Sequence, residues 1–254
     1  MTVFVEVAGR GPNLTLLHGW GLNGAAWNGV RDTLAERFTL HIVDLPGHGH
    51  SQGAGISSLA AMADAVANAT PKQSHLLGWS LGGLVALELA RRHSDRVGNL
   101  VLVSATPCFL QRDDWPHAVK PAVLADFSAR LATNYAATIK SFLALQVLSQ
   151  PNQRGMINKL LQALTSRGLA DPAALAGGLA ILQATDLRTQ LGEISQKTLV
   201  LQGDHDALTP EPAGRWLAEN LQHARYVMMA HAAHAPFLSH RDAFLREVER
   251  FLAA

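Results

Sequence analysis

Apolar residues fall into short runs separated by stretches with helical spacing. Val3–Val7, Leu14–Leu17, Thr39–Val43, His75–Gly78, Asn99–Val103, Thr198–Leu201 and Ala224–Met229 read as strands. Several are apolar at consecutive positions, the mark of strands covered on both faces. Between them, Trp27–Glu36, Leu59–Ala69, Leu81–Arg92, Pro210–Leu221 and Arg241–Leu252 repeat apolar residues three and four apart and read as helices. Thr209 before Pro210 makes a helix start, with a hydroxyl to cap and a proline where its missing N–H costs nothing. This alternation predicts right-handed crossovers and a mostly parallel sheet with helices on both faces, an α/β architecture.

The alternation stops between residues 109 and 185, a stretch rich in Ala, Leu and Gln with helical spacing and no strand pattern. Pro116, Pro121, Pro151, Gly155, Pro172 and Gly177–Gly178 punctuate it. The expectation is a core built from residues 1–108 and 186–254, with 109–185 inserted as a helical lid. An insertion at the carboxyl edge of a parallel sheet overhangs the crevice where such folds hold ligands.

With 254 residues, 48% of them apolar and 16% charged, the chain can bury a sizeable core. A net charge of +1 gives no global reason to expect nucleic acid or a membrane. Apolar runs fall short of the ~20 residues of a membrane span. The N-terminus alternates like a strand and lacks the basic start and apolar block of a signal peptide, so a cytoplasmic location is expected. A monomer is expected as well. Cys108 is the sole cysteine, which excludes an internal disulfide. Charge is unevenly spread: residues 109–185 carry seven bases against four acids. Taken singly, these bases read as parts of solvated helical faces.

Gly78-Trp79-Ser80-Leu81-Gly82 matches G-x-S-x-G, directly after one predicted strand and directly before a predicted helix. A sharp turn there exposes Ser80 at a helix N-terminus, where the dipole favours developing negative charge. Flanking glycines let strand and helix approach closely. The same five residues also describe a plain glycine-rich turn with Ser80 as a cap; the strand–turn–helix context favours a nucleophile. Serine needs a base, and the base needs a carboxylate. On such a sheet they follow in the order acid, then histidine. His231 and His234 both lie after the strand Ala224–Met229, and small neighbours leave the His234 ring unhindered. Asp206 and Asp204 both follow the strand Thr198–Leu201, with Asp206 further into its loop. The oxyanion donors expected are the N–H groups of Leu81 and of Trp20, in the glycine-flanked loop after Leu17. Asp44–Ser51 reads as a structural turn at the same edge.

These residues resemble the α/β-hydrolase superfamily: His-Gly-Trp-Gly at 18–21, Asp-Leu-Pro-Gly-His-Gly-x-Ser at 44–51, Gly-Trp-Ser-Leu-Gly at 78–82 and Gly-x-x-Asp at 203–206. The likeness runs through the whole chain. More narrowly, Trp79, Phe142-Leu143-Ala144-Leu145-Gln146 and Ala233-His234-Ala235-Pro236-Phe237-Leu238-Ser239-His240 resemble esterases of biotin synthesis. Those enzymes remove the methyl ester from pimeloyl groups carried on acyl carrier protein. The resemblance implies the α/β-hydrolase fold, a Ser80–His234–Asp206 triad, and no cofactor or catalytic metal. It implies substrate contacts at Trp20, Ser80, Leu81, Phe142, Leu143, Ala144, Leu145 and Gln146. It also implies basic lid residues that hold the acidic carrier, for which Arg154, Lys140 and Lys159 are the candidates. Ala137 and Ser141 stand where the family would carry further arginines. Trp20, Trp79, Leu22, Phe142 and Phe237 are expected to wall the acyl site.

Three other readings stay open on the residues. One is a short-chain carboxylesterase, lactonase or thioesterase on the same fold. Another is a non-catalytic ligand receptor. The third is a metal hydrolase using His231 and His234.

Overall fold

The computed structural model describes residues 2–51, 56 and 58–253. Among them seven strands form one sheet: β1 (Val5–Gly9), β2 (Asn13–Leu17), β3 (Thr39–Val43), β4 (Ser74–Trp79), β5 (Val97–Val103), β6 (Thr198–Gly203) and β7 (Ala224–Met229). Their order is β1-β3-β2-β4-β5-β6-β7, parallel throughout except for β1, which runs antiparallel to β3. Every residue of β6 is buried, as its unbroken apolar run predicts. The first strand lies two residues later than the pattern suggested. Its register against β3 runs from Val5 opposite Val43 to Gly9 opposite Thr39.

Outside the insertion the helices are α1 (Asn28–Ala35), α2 (Leu59–Ala69), α3 (Leu81–Arg92), α8 (Glu211–Asn220), α9 (Pro236–Ser239) and α10 (Arg241–Leu252). The expected Trp27–Glu36 helix is divided: Asn23 caps a 3-10 turn over Gly24–Trp27 before α1 begins. Helix α1 packs against α10, and α2 against α3.

Between β5 and β6 lie α4 (Pro121–Thr133), α5 (Tyr135–Gln146), α6 (Gln153–Ser166) and α7 (Pro172–Ala184). Two of the prolines that punctuate the stretch start helices, whereas Gly155 lies inside α6 and Gly177–Gly178 inside α7. Pro121 and Pro172 open α4 and α7, and the side chains of Asn134 and Asp171 cap α5 and α7. An antiparallel bridge between Cys108 and Asp186 joins the chain where it leaves the sheet and where it returns. Arg167, at the end of α6, ties the insertion down through ion pairs with buried Asp44 and with Glu6. Among the described residues, no helix is long and apolar enough to cross a membrane.

Candidate active site

The turn between β4 and α3 sets Ser80 at φ 56°, ψ −117°, a conformation that costs a non-glycine residue about 1–3 kcal/mol. Backbone bonds hold it there: Ser80 N–H donates to Val103 O at 3.0 Å, and Gly83 N–H to Ser80 O at 2.9 Å. The flanking glycines are required by close approach. A Cβ on Gly78 would stand 2.4 Å from Gly82 O, and one on Gly82 2.3 Å from Leu17 O. The Ser80 side chain makes no capping bond to α3, so the strained turn serves something other than helix capping.

Two loops at the carboxyl edge of the sheet bring Asp206 and His234 together. His234 Nδ1–H donates to the carboxylate, 2.8 Å from Oδ2 and 2.9 Å from Oδ1, with both side chains buried. This leaves Nε2 as the free ring nitrogen. The carboxylate is further held by the N–H groups of Leu208 and Thr209, the Thr209 hydroxyl and the Gln202 amide, at 2.8–2.9 Å. Burial pushes the Asp206 carboxyl up, but His234 and the Thr209 donors outweigh it and hold it below the ordinary aspartate range. Trp79, next to Ser80, donates its indole N–H to His234 O at 2.7 Å and stacks obliquely on its ring. The elbow and the histidine loop are therefore pinned together.

The rivals lie elsewhere. Asp204 sits at the surface with His205 and His231, all three offering ligand atoms within 4.8 Å of one another. His231 is exposed and His234 is buried on Asp206, so the two histidines do not converge as a metal hydrolase would need.

Trp20 and Leu81 are buried, and neither backbone N–H finds a backbone acceptor among the described residues. Leu81 follows Ser80 directly, and Trp20 shares with Ser80 the wall of one cavity. Two neutral histidines shape the Trp20 loop. His18 donates from Nδ1 to Gly19 O at 2.8 Å and accepts from Leu45 N–H at Nε2. His48 accepts from Gly21 N–H and donates to Pro46 O. Burial lowers the pKa of both, which keeps Nε2 an acceptor. Asp44 accepts from the N–H groups of Gly24 and His50, so the Asp44–Ser51 turn is structural, as its sequence suggested.

Ser80 opens onto a cavity of about 100 Å³ whose wall is apolar apart from Ser80 itself and Arg130. Trp20, Phe142 and Leu145 line it, as expected. Leu81, Leu143, Ala144 and Gln146 do not: Leu81, Leu143 and Gln146 are buried in the interior, and Gln146 O accepts the N–H of Ala235 beside the histidine. Trp79, Leu22 and Phe237 are also absent from the wall. They are core residues beneath it, with Trp79 and Phe237 edge to face at 4.9 Å. Much of the wall went unpredicted: Phe109, Leu124, Phe127, Leu179, Leu182 and Leu208. For Leu124, Phe127, Leu179 and Leu182, on the inserted helices, helical spacing marks an inward-facing position and says nothing of what it faces, and Phe109 and Leu208 lie outside any helix. Trp20 ties the inserted helices to the loop beside Ser80, donating its indole N–H to Leu175 O at 2.9 Å and meeting Phe127 and Phe142 edge to face.

Of the basic candidates, Lys140 and Arg154 share one groove of about 530 Å³ with Ile157 and Leu161. Lys159 lines a different hollow, beside Arg241. Lys140, Arg154 and Lys159 are exposed and form no ion pair among the described residues.

A strained serine at a strand–helix elbow, and a buried aspartate–histidine pair on later loops of the same mostly parallel sheet, define a class of protein. The chain belongs to the α/β-hydrolase family: the family described as alpha/beta hydrolase fold matches residues 12–241. Among its relatives, the pimeloyl-[acyl-carrier protein] methyl ester esterase of Aeromonas hydrophila is 44% identical over 254 residues, covering 99% of this chain and all of that protein. The esterase of the same name from Nitrosomonas europaea is 41% identical over 244 residues, covering 96% and 97%. An esterase structure from Exiguobacterium antarcticum superposes with a TM-score of 0.90 over 99% of this chain and 96% of that one, at 23% identity, and speaks for the fold.

Proposed function

We propose that the chain is a serine esterase that hydrolyses the methyl ester of pimeloyl-[acyl-carrier protein], a step of biotin synthesis. The observation that carries the chemistry is the buried Asp206–His234 pair pinned by Trp79 to an uncapped Ser80. In this reading His234 Nε2 takes the Ser80 proton as Oγ attacks the ester carbonyl. The oxyanion accepts hydrogen bonds from the N–H groups of Leu81 and Trp20. The imidazolium, steadied by Asp206, gives its proton to the departing oxygen, and methanol leaves. Water then attacks the acyl-enzyme, passing a proton to Nε2. The free carboxylic acid departs and Ser80 regains its proton.

The substrate follows from three supports. The curated relatives bear that activity in their names over essentially the whole chain. The wall beside Ser80 suits an unbranched acyl chain. The groove of Lys140 and Arg154 offers charge to an acidic carrier, and in this reading residues 109–185 act as a lid presenting both. In this reading it acts as a cytoplasmic monomer, since no reacting group has to come from a second copy. The test compares methyl pimeloyl-carrier with free methyl pimelate. Preference for the carrier form, abolished in Ser80→Ala, is expected. Equal turnover of both would make it a general esterase, and full activity in Ser80→Ala would overturn the mechanism.

A further inference from the structure

The loops that carry Asp206 and His234 bring a second chemical set together on their outer side. Asp204 and His205 follow β6, and His231 follows β7. Among the described residues these three place ligand atoms within 4.8 Å of one another. The His205 and His231 rings meet edge to face at 5.5 Å. Oδ1 of Asp204 is buried and lacks a hydrogen-bond partner, a cost that an isolated carboxylate oxygen does not ordinarily bear. The backbone beneath is fixed: His205 N–H donates to Ala232 O at 2.9 Å, and the Gln150 amide donates to His231 O at 2.7 Å.

We propose that Asp204, His205 and His231 form a surface site for one divalent transition-metal ion of the zinc and cobalt kind. Two imidazoles and a carboxylate are a borderline-soft set that suits these ions, whereas magnesium and calcium prefer oxygen alone. Bonds of about 2.0–2.1 Å put tetrahedral ligands about 3.4 Å apart. Closing the observed spread takes roughly an ångström, within the rotamer freedom of exposed histidines. The remaining position is left to water.

The site stands apart from the hydrolytic chemistry, because His234 Nδ1 is bonded to Asp206. Asp204 lies two residues before Asp206, and His231 three before His234. A bound ion therefore clamps the acid loop to the base loop without touching the reacting atoms, and binding to the folded state alone raises stability.

The test uses the full chain without a histidine tag, dialysed against Co²⁺. One bound ion per chain is expected, with a visible absorption band from nitrogen and oxygen ligands and a rise in thermal midpoint. His205→Ala and His231→Ala should each weaken binding at least about tenfold. His223→Ala, an exposed histidine outside the set, should not. Circular dichroism separates loss of ligand from loss of fold, and Asp204→Asn removes a ligand while keeping the shape. The proposal falls if no cobalt is retained at high-micromolar free metal, or if the His205→Ala/His231→Ala double variant binds as the parent does.

Discussion

Gly82→Ala probes how tightly the turn carrying Ser80 is packed. Helix propensity alone says that an alanine inside α3 stabilises by up to about 1 kcal/mol. The surroundings say the reverse. A Cβ at residue 82 would stand 2.3 Å from Leu17 O, 2.6 Å from Leu17 C and 2.7 Å from His18 O. All three are backbone atoms of β2 or the loop after it, so none can swing aside as a side chain would. Reaching even 3.0 Å requires α3 to withdraw by roughly 0.7 Å. Overpacking of this kind costs about 1–3 kcal/mol, enough to cancel or reverse the propensity gain. The withdrawal also moves Leu81 N–H away from Trp20 N–H, because Trp20 follows the same Leu17–His18 backbone. Misplacement on this scale costs about 10²-fold in rate, close to 2.7 kcal/mol of barrier. Urea denaturation and kcat/KM on a p-nitrophenyl ester measure both effects. Gly192→Ala is the control, since nothing lies within 4 Å of its added Cβ. A Gly82→Ala protein with a raised denaturation midpoint and undiminished kcat/KM would refute the packing argument.

Asp206→Asn should lower kcat by about 10⁴-fold, as loss of the orienting carboxylate does in such triads. Asp204→Asn should leave kcat unchanged, and the opposite pattern would reassign the acid. Asp206 also sets a pH dependence of stability. Its carboxyl is held below the ordinary value of about 3.9, so its contribution is complete above that pH and is lost as pH falls through the lower folded value. Acid unfolding of Asp206→Asn should lack that part of the slope. Trp79→Phe removes the indole bond to His234 O, worth about 1 kcal/mol. It should reduce kcat several-fold at unchanged KM; a change in KM alone would place Trp79 in the substrate wall. Lys140→Glu with Arg154→Glu should raise KM for the carrier-borne ester roughly tenfold and flatten its salt dependence, with free-ester turnover unaffected. Equal effects on both substrates would remove the carrier groove.

The order of strands and helices was legible because it rests on local regularities. Strands buried on both faces show as unbroken apolar runs, and two prolines that punctuate the inserted stretch, Pro121 and Pro172, open its helices. The expected start at Thr209–Pro210 is different in the structure: α8 begins at Glu211 after Pro210, and the Thr209 hydroxyl bonds Asp206 instead of capping the helix. The Ser80 turn was legible for the same reason. Its glycines answer to a strain and a close approach that any sequence building that elbow must accommodate. Choosing between Asp204 and Asp206, or between His231 and His234, was beyond local pattern. Each pair leaves the sheet on one loop, and the difference is which side of the loop faces the interior.

Only the tertiary structure put Asp206 and His234 inward and gathered Asp204, His205 and His231 outside. It alone separated the cavity wall from the core beneath, sending Leu143 and Gln146 inward and Phe127, Leu179 and Leu182 over Ser80. Periodicity records that a side chain leaves water, because that free energy depends on area alone. Which neighbours it meets depends on contacts between segments distant along the chain, and those exist only once the sheet and the inserted helices have packed.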